Sequence, residues 1–335
     1  EPYRRQRQMC IRDRLYKMSI FKLDPAFKDY IWGGTRLRDE YGKKCDYDKV
    51  AESWELSCHK DGPSVVADGE YKGLTLNEYI EKAGKGVLGK NCERFENFPI
   101  LIKLIDAKDN LSVQVHPDND YAMRVEGEYG KTEMWYVVDC DEGATLLYGF
   151  KHEITKEEFA RRIADNTLLE VTNAVPVKKG DVFFIKSGTL HAIGKGILIA
   201  EIQQNSNTTY RIYDYGRVGK DGKPRELHVN KALDVTKLAP AEQYPETPVE
   251  KKDGYDIKLL SKCEYFTTYR VNVETKAELD ADENSFNSIL VLEGEPVISG
   301  GETVSAKKGE SVFISAGTGK YTVEGKCTFV LTKID

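Results

Sequence analysis

Lys178-Lys179-Gly180-Asp181-Val182-Phe183-Phe184-Ile185-Lys186-Ser187-Gly188-Thr189-Leu190-His191 decides the fold, because the chain uses it twice. The second copy is Lys307-Lys308-Gly309-Glu310-Ser311-Val312-Phe313-Ile314-Ser315-Ala316-Gly317-Thr318-Gly319-Lys320, and the two align without a gap. In each, a Gly turn leads into a short apolar, β-prone run, and a second Gly turn ends it. Each copy follows a hairpin-like pair of strands. One β unit used twice predicts two related barrels. Many short strands, Gly-rich turns and few helical patterns make the chain mainly β, with a few short helices. The copies differ at their last position, where His191 is replaced by Lys320. An imidazole there can hold a metal, whereas an ammonium repels one. The first barrel is therefore expected to carry the chemistry and the second to be structural.

Upstream lies Ser112-Val113-Gln114-Val115-His116-Pro117. On a strand, residues two apart share a face. Gln114 and His116 project together, while Val113 and Val115 turn to a core, and Pro117 ends the ladder. An amide oxygen and an imidazole nitrogen on one face are two ready ligands. The chain has five histidines: His59, His116, His152, His191 and His228. His116 and His191 stand out because each closes a strand-like segment beside other donors. His59 is placed near the site, and His152 and His228 are read as unremarkable. Glu133, in Lys131-Thr132-Glu133, reads either as a carboxylate ligand or as a strand-end surface charge.

From the start, Ser19–Leu23 and Glu52–Ser57 read as strands. Thr75 and Glu78 have capping-box spacing before a short helix. Residues 98–105 form a buried strand, and Asp118–Glu126 a helix or ordered loop. The run 131–138 is strongly β-prone, with 145–149 as its expected hairpin partner. Thr155–Asn166 is the clearest amphipathic helix, with Thr155 as N-cap, Glu158 expected to complete a capping box, and Phe159, Ile163 and Leu168 on one face. Residues 174–177, 182–185 and 197–202 complete the first set of strands.

The 335 residues suffice for two domains with real cores, and 40% hydrophobic with 31% charged residues is ordinary for a globular protein. No apolar run approaches the length of a membrane span. A net charge of -6 argues against nucleic-acid or anionic-membrane partners. The cluster Tyr210-Arg211-Ile212-Tyr213-Asp214-Tyr215-Gly216-Arg217 then reads as a pocket wall. The seven cysteines are odd in number, scattered and without a C-x-x-C pair, which indicates reduced thiols in a cytoplasmic protein. Residues 1–17 are Arg-dense without an apolar face, and read as translated upstream or adapter sequence, disordered, with Met18 as the start. The expected domains are 18–238, a linker 239–252 rich in Pro, and 253–335.

The spacing Gly180-x5-Lys186-x-Gly188-x2-His191 resembles the second signature of the cupin superfamily, with Lys186 where Pro is usual. Gln114-Val115-His116-Pro117 stands in place of the His-x-His of the first signature. With Lys131-Thr132-Glu133, Trp32-Gly33-Gly34, Glu52-Ser53-Trp54-Glu55 and the run from Asn205 to Arg211, the chain resembles the type I phosphomannose isomerases, in their short two-barrel form. The resemblance implies two cupin-type jelly-roll barrels. It implies one zinc ion per chain on Gln114, His116, Glu133 and His191, with manganese, iron and cobalt left open. It also implies a catalytic Arg at Arg211. Ser112 and Lys131 match positions that line the substrate site, and Arg217, which stands where longer members have Lys, is expected to bind substrate with them. The implied reaction is the interconversion of mannose 6-phosphate and fructose 6-phosphate through an enediolate. Lys131 is a phosphate partner or proton carrier there, and the base is left open. A salt bridge to Asp214 or Glu201 is the other reading of Arg211. A different cupin metalloenzyme and a non-catalytic sugar-phosphate-binding cupin are the competing functions. A monomer or weak homo-oligomer is expected.

Overall fold

The structure, a computed structural model, describes residues 19–219 and 221–335, so the expectation for residues 1–17 lies outside the described residues. The chain divides into two compact units. Among the described residues, one comprises 27–54 and 100–246 and holds the first copy of the repeat; the other comprises 19–26, 55–99 and 247–335 and holds the second.

The first-copy unit is built on two antiparallel sheets. Six strands run in the order Val182–Ile185, Glu133–Cys140, Ile197–Gln204, Ile100–Ala107, Glu52–Leu56, Ala26–Lys28. Five run in the order Tyr210–Tyr213, Val113–Val115, His191–Ala192, Thr145–Phe150, Thr172–Pro176. Ile105, Trp135 and Ile199 from the first sheet pack with Leu146 and Tyr148 from the second, so one apolar core is shared by both. Val113 and Val115 join a different cluster, with Phe150, Phe159 and Ala232. That division sends the intervening Gln114 to the opposite face, as strand alternation requires. Phe159 lies on the helix Lys156–Ala164, capped by Thr155, whose side chain accepts from Glu158 N. The Glu158 carboxylate does not close the box and pairs with Arg162 at 3.0 Å.

The expected hairpin of 131–138 with 145–149 does not form. Glu133–Cys140 pairs with Val182–Ile185 and Ile197–Gln204, and Thr145–Phe150 pairs with 172–176 and 191–192 in the other sheet. The turn between them carries the chain from one sheet to its partner, the corner of a jelly roll.

The second-copy unit has an eight-stranded and a four-stranded sheet. Its long sheet includes the first described strand, Ile20–Asp24, which pairs with Ser311–Ile314, and Ile20 faces Ile314. The contiguous domain 18–238 expected from sequence is therefore replaced by a discontinuous one. The reason is physical: residues 20–24 satisfy the edge of the 311–314 strand, and Phe21 stacks on Phe313 with centroids 5.4 Å apart. Tyr79, on the helix Leu76–Ala83 with its Thr75–Glu78 capping box, meets Phe21 at 4.8 Å. The expected linker 239–252 ends in a strand, Val249–Lys252, hydrogen-bonded to Tyr255–Lys262.

The two copies of the repeat share their turns in atomic detail. Lys178 N donates to Asp181 Oδ2 at 2.9 Å, and Lys307 N to Glu310 Oε2 at 3.0 Å. Gly180 and Gly309 have φ of 91° and 87°, a region where only Gly is unstrained. Among the described residues no helix is long and apolar enough to cross a membrane. The described cysteines are all free.

Candidate metal and substrate site

Strand register assembles the site. Gln114 faces His191 on one neighbouring strand and Arg211 on the other. His116 follows directly as the chain leaves Val113–Val115, and Glu133 opens the strand Glu133–Cys140. His116, Glu133 and His191 are all buried, and their ligand atoms lie within 4.8 Å of one another.

His116 Nε2 lies 3.1 Å from His191 Nε2. The other nitrogen of each ring faces a carbonyl: His116 Nδ1 is 3.0 Å from Thr208 O, and His191 Nδ1 is 2.8 Å from Thr189 O. A carbonyl only accepts, so each Nδ1 holds the proton and each Nε2 presents a lone pair. Glu133 brings Oε2 to 3.6 Å from His116 Nε2 and Oε1 to 3.3 Å from His191 Nε2. Neither carboxylate oxygen accepts a well-directed hydrogen bond, although Lys131 Nζ stands 2.9 Å from Oε2. Two lone pairs and a carboxylate thus converge in a buried space, an arrangement that a cation relieves. The Gln114 amide stands 3.4 Å from His191 Nε2, and turned over it presents its oxygen to the same point.

The two imidazoles are held in the neutral form that ligates, whereas Glu133 is held toward its protonated form, which a bound cation would reverse. Burial pushes His191 down to about 4 and His116 well below the usual imidazole range, the latter helped by the Lys131 charge. Burial pushes Glu133 up to about 7, with Glu201 adding to it and Lys131 opposing. Two neutral imidazoles, one carboxylate and one amide oxygen fit a divalent cation of borderline softness.

Of this set Gln114 reaches a cavity of about 250 Å³, walled by Trp32, Ile105, Leu111 and Ile193 and lined also by Ser112, Lys131 and Arg211. Trp32 reaches it because Gly33 lets the chain lie against Ala51; a Cβ there would sit 2.4 Å from the Ala51 Cβ. The floor is a buried charge network. Lys103 Nζ lies 3.4 Å from Glu52 and 3.5 Å from Glu201, and 4.9 Å from the centroid of the Trp54 ring. Trp54 Nε1 donates to Glu52 at 2.7 Å, and Trp135 Nε1 to Glu201 at 2.8 Å. Burial works against both charges, but Lys131 and Lys103 outweigh it at Glu201, while Glu52 and Glu201 outweigh it at Lys103.

Ser112, Gln114, His116, Lys131, Glu133, His191 and Arg211, all singled out in the sequence, come together here. Arg211 pairs with neither Asp214 nor Glu201: its Nη1 donates to Glu226 O at 2.9 Å, and its Nε is buried without a hydrogen bond. His228 caps the helix Val229–Val235 and accepts from Arg211 N at 3.1 Å, so it fixes the arginine's backbone. Arg217 is not on the cavity wall; Arg225 is. Arg217 is held by Asp214 and by Asn110 O. His59 belongs to the other unit, where its Nδ1 accepts from Asp61 N at 3.1 Å. Glu52, Lys103, Glu201 and Arg225 were not singled out for the site in the sequence. Lone charges inside apolar runs were a usable signal for Lys103 and Glu201; Arg225 left none.

A model of the phosphomannose isomerase type I catalytic domain matches residues 20–143, and one of the mannose-6-phosphate isomerase cupin domain matches residues 256–334. Mannose-6-phosphate isomerase ManA of Bacillus subtilis is 39% identical over 312 residues, spanning 92% of this chain and 97% of its own. Mannose-6-phosphate isomerase of Streptococcus mutans is 40% identical over 291 residues, spanning 85% and 88%. The crystal structure of mannose 6-phosphate isomerase from Bacillus subtilis is similar with a TM-score of 0.88 at 38% identity, covering 94% of this chain and 99% of that one. With the cupin pattern, the Gln-His-Glu-His constellation and full-length relatives in agreement, the chain belongs to the type I phosphomannose isomerase family and is an aldose–ketose isomerase.

Proposed function

We propose that the enzyme interconverts mannose 6-phosphate and fructose 6-phosphate, using one zinc ion held by Gln114, His116, Glu133 and His191. The observation that carries this reading is the convergence of two Nε2 lone pairs and an under-satisfied carboxylate beside a cavity lined by cations. The relatives named for this substrate support it. When bound, zinc supplies Lewis-acid charge beside the sugar oxygens.

The remaining work falls to side chains. The reaction takes a proton from C2 and returns it at C1 through an enediolate. Lys131, whose Nζ lies 3.2 Å from His116 Nε2, carries that proton. Arg211, with its Nε unspent, stabilises the developing oxyanion. The Ser112 hydroxyl donates to the bound sugar phosphate. Trp32, Ile105, Leu111 and Ile193 keep water from the reacting carbons.

A coupled assay for fructose 6-phosphate from mannose 6-phosphate, with metal analysis on the same sample, tests the reading. Chelation abolishes the activity and zinc restores it. Activity surviving complete demetallation rejects the zinc role; absence of product from the metal-loaded enzyme rejects the substrate.

A further inference from the structure

The second arginine on the cavity wall, Arg225, comes from a short returning segment. Val218 and Pro224 form an antiparallel bridge, and Gly219 N donates to Lys223 O at 2.7 Å, which brings Arg225 back beside Asp214. Arg225 grips that carboxylate with two donors, Nε to Oδ2 at 2.8 Å and Nη2 to Oδ1 at 2.6 Å. Asp214 Oδ1 also accepts from Arg217 Nη2 at 2.5 Å. Arg217 spends its other donors on backbone, Nη1 on Asn110 O at 2.5 Å and Nε on Asp214 O at 3.3 Å. Arg225 keeps Nη1, with two protons, without a hydrogen bond to any described residue, and its side chain remains 20% exposed on the cavity wall.

The charges do not balance. Arg211, Arg217 and Arg225 bring three positive charges, and Asp214 is the one carboxylate bonded among them. The Glu226 side chain, the nearest further acid on this segment, is 83% exposed. The arginine cluster therefore carries about two more positive charges than it bonds to carboxylates, and Arg211 and Arg225 bring that excess to the cavity wall. Their mutual repulsion is felt at Arg211, whose guanidinium is lowered by burial first and then by the Arg225 charge. A phosphate monoester carries about −1.5 to −2 charges at pH 7 and offers oxygens in the geometry a guanidinium matches.

We propose that Arg225, held in place by Asp214, is the anchor of the substrate's phosphate group, and that Arg217 is a support of the segment without contact to substrate. The assignment rests on the isomerase reading for the identity of the substrate, but the anion site itself is tested without turnover. The probe is inorganic phosphate, titrated calorimetrically into the wild-type enzyme, R225M and R217M, with KM and kcat for mannose 6-phosphate measured alongside. R225M weakens phosphate binding at least fivefold and raises KM by a similar factor, with the larger effect in KM than in kcat. R217M, which disturbs the same carboxylate without reaching the cavity, leaves phosphate binding within twofold of wild type. A change below fivefold in R225M overturns the assignment, as does an equal loss in R217M, which would place the effect in the fold of the segment. If the wild type makes no fructose 6-phosphate, the isomerase reading fails, while the phosphate titration still decides the role of Arg225.

Discussion

Asn287 holds in the second-copy unit the register position that Glu133 holds in the first. Glu133 pairs with Ile185 and Asn287 with Ile314, and these two isoleucines are matching positions of the repeat. The same correspondence sets His191 facing Gln114 against Lys320 facing Asp280. Gly188 N donates to His116 O, and Gly317 N to Asp282 O, each at 2.8 Å. The four donors Gln114, His116, Glu133 and His191 thus map onto Asp280, Asp282, Asn287 and Lys320. One barrel fold carries a candidate ligand set, and its sister has an ammonium where the last imidazole stood.

That mapping predicts the metal content. An ammonium at a ligand position repels a divalent cation, so the chain binds one ion, not two. Elemental analysis of the purified enzyme gives about one zinc per chain, and H191A, which deletes a ligand from the first site, brings it close to zero. Two ions per chain, or full loading of H191A, would contradict the mapping.

Arg211 faces Gln114 across the strand pair and lines the cavity without an acidic partner. Removing a preorganised donor to a developing oxyanion costs roughly 10²–10³ in turnover. R211A lowers kcat by about that factor and keeps its zinc. Near-normal turnover would reduce Arg211 to a structural residue.

Lys103 stands between Glu52 and Glu201 with almost no solvent contact. Removing one partner of a buried ion pair leaves an uncompensated charge and costs about 3–5 kcal/mol. K103M therefore unfolds at markedly lower urea concentration than wild type. Adding E201Q removes one stranded charge, so the double variant recovers part of the loss. A double variant whose loss equals or exceeds the sum of the single effects would show that the network is not coupled as the distances imply.

Much of this architecture was legible because it is local. Apolar runs marked Ile100–Ala107 and Ile197–Gln204, and the Gly turns of the repeat marked both barrels. What failed was pairing. The turn after Cys140 reads alike whether the chain stays in one sheet or crosses to the other, so the 133–140 and 145–150 strands looked like a hairpin. Ile20–Asp24 looked like a strand, but nothing in it names Ser311–Ile314 as its neighbour. At the site, the candidate ligands lay in short motifs, whereas Arg225 depends on Asp214 and a returning segment that leave no periodic mark.

Asp214 ties that segment down, and its protonation gives a pH signature. Burial raises its carboxyl, but hydrogen bonds from Arg225 and Arg217 outweigh burial and hold it below the ordinary carboxylate range. The unfolded chain, with an ordinary aspartate near pH ~3.9, then binds the proton more readily than the folded one. The pairing stabilises the fold above that unfolded value, and the stabilisation is lost as pH falls through the lowered folded value. D214N removes the charge at all pH values, so near neutrality it is less stable than wild type by about 1–3 kcal/mol. The two melting curves begin to converge as pH drops below about 4 and meet only once it passes the lowered value at which folded Asp214 becomes neutral. A gap in melting temperature that stays constant from neutral pH down into that range would mean that Asp214 acts through shape alone, and that the arginines beside the cavity are held by something other than its charge.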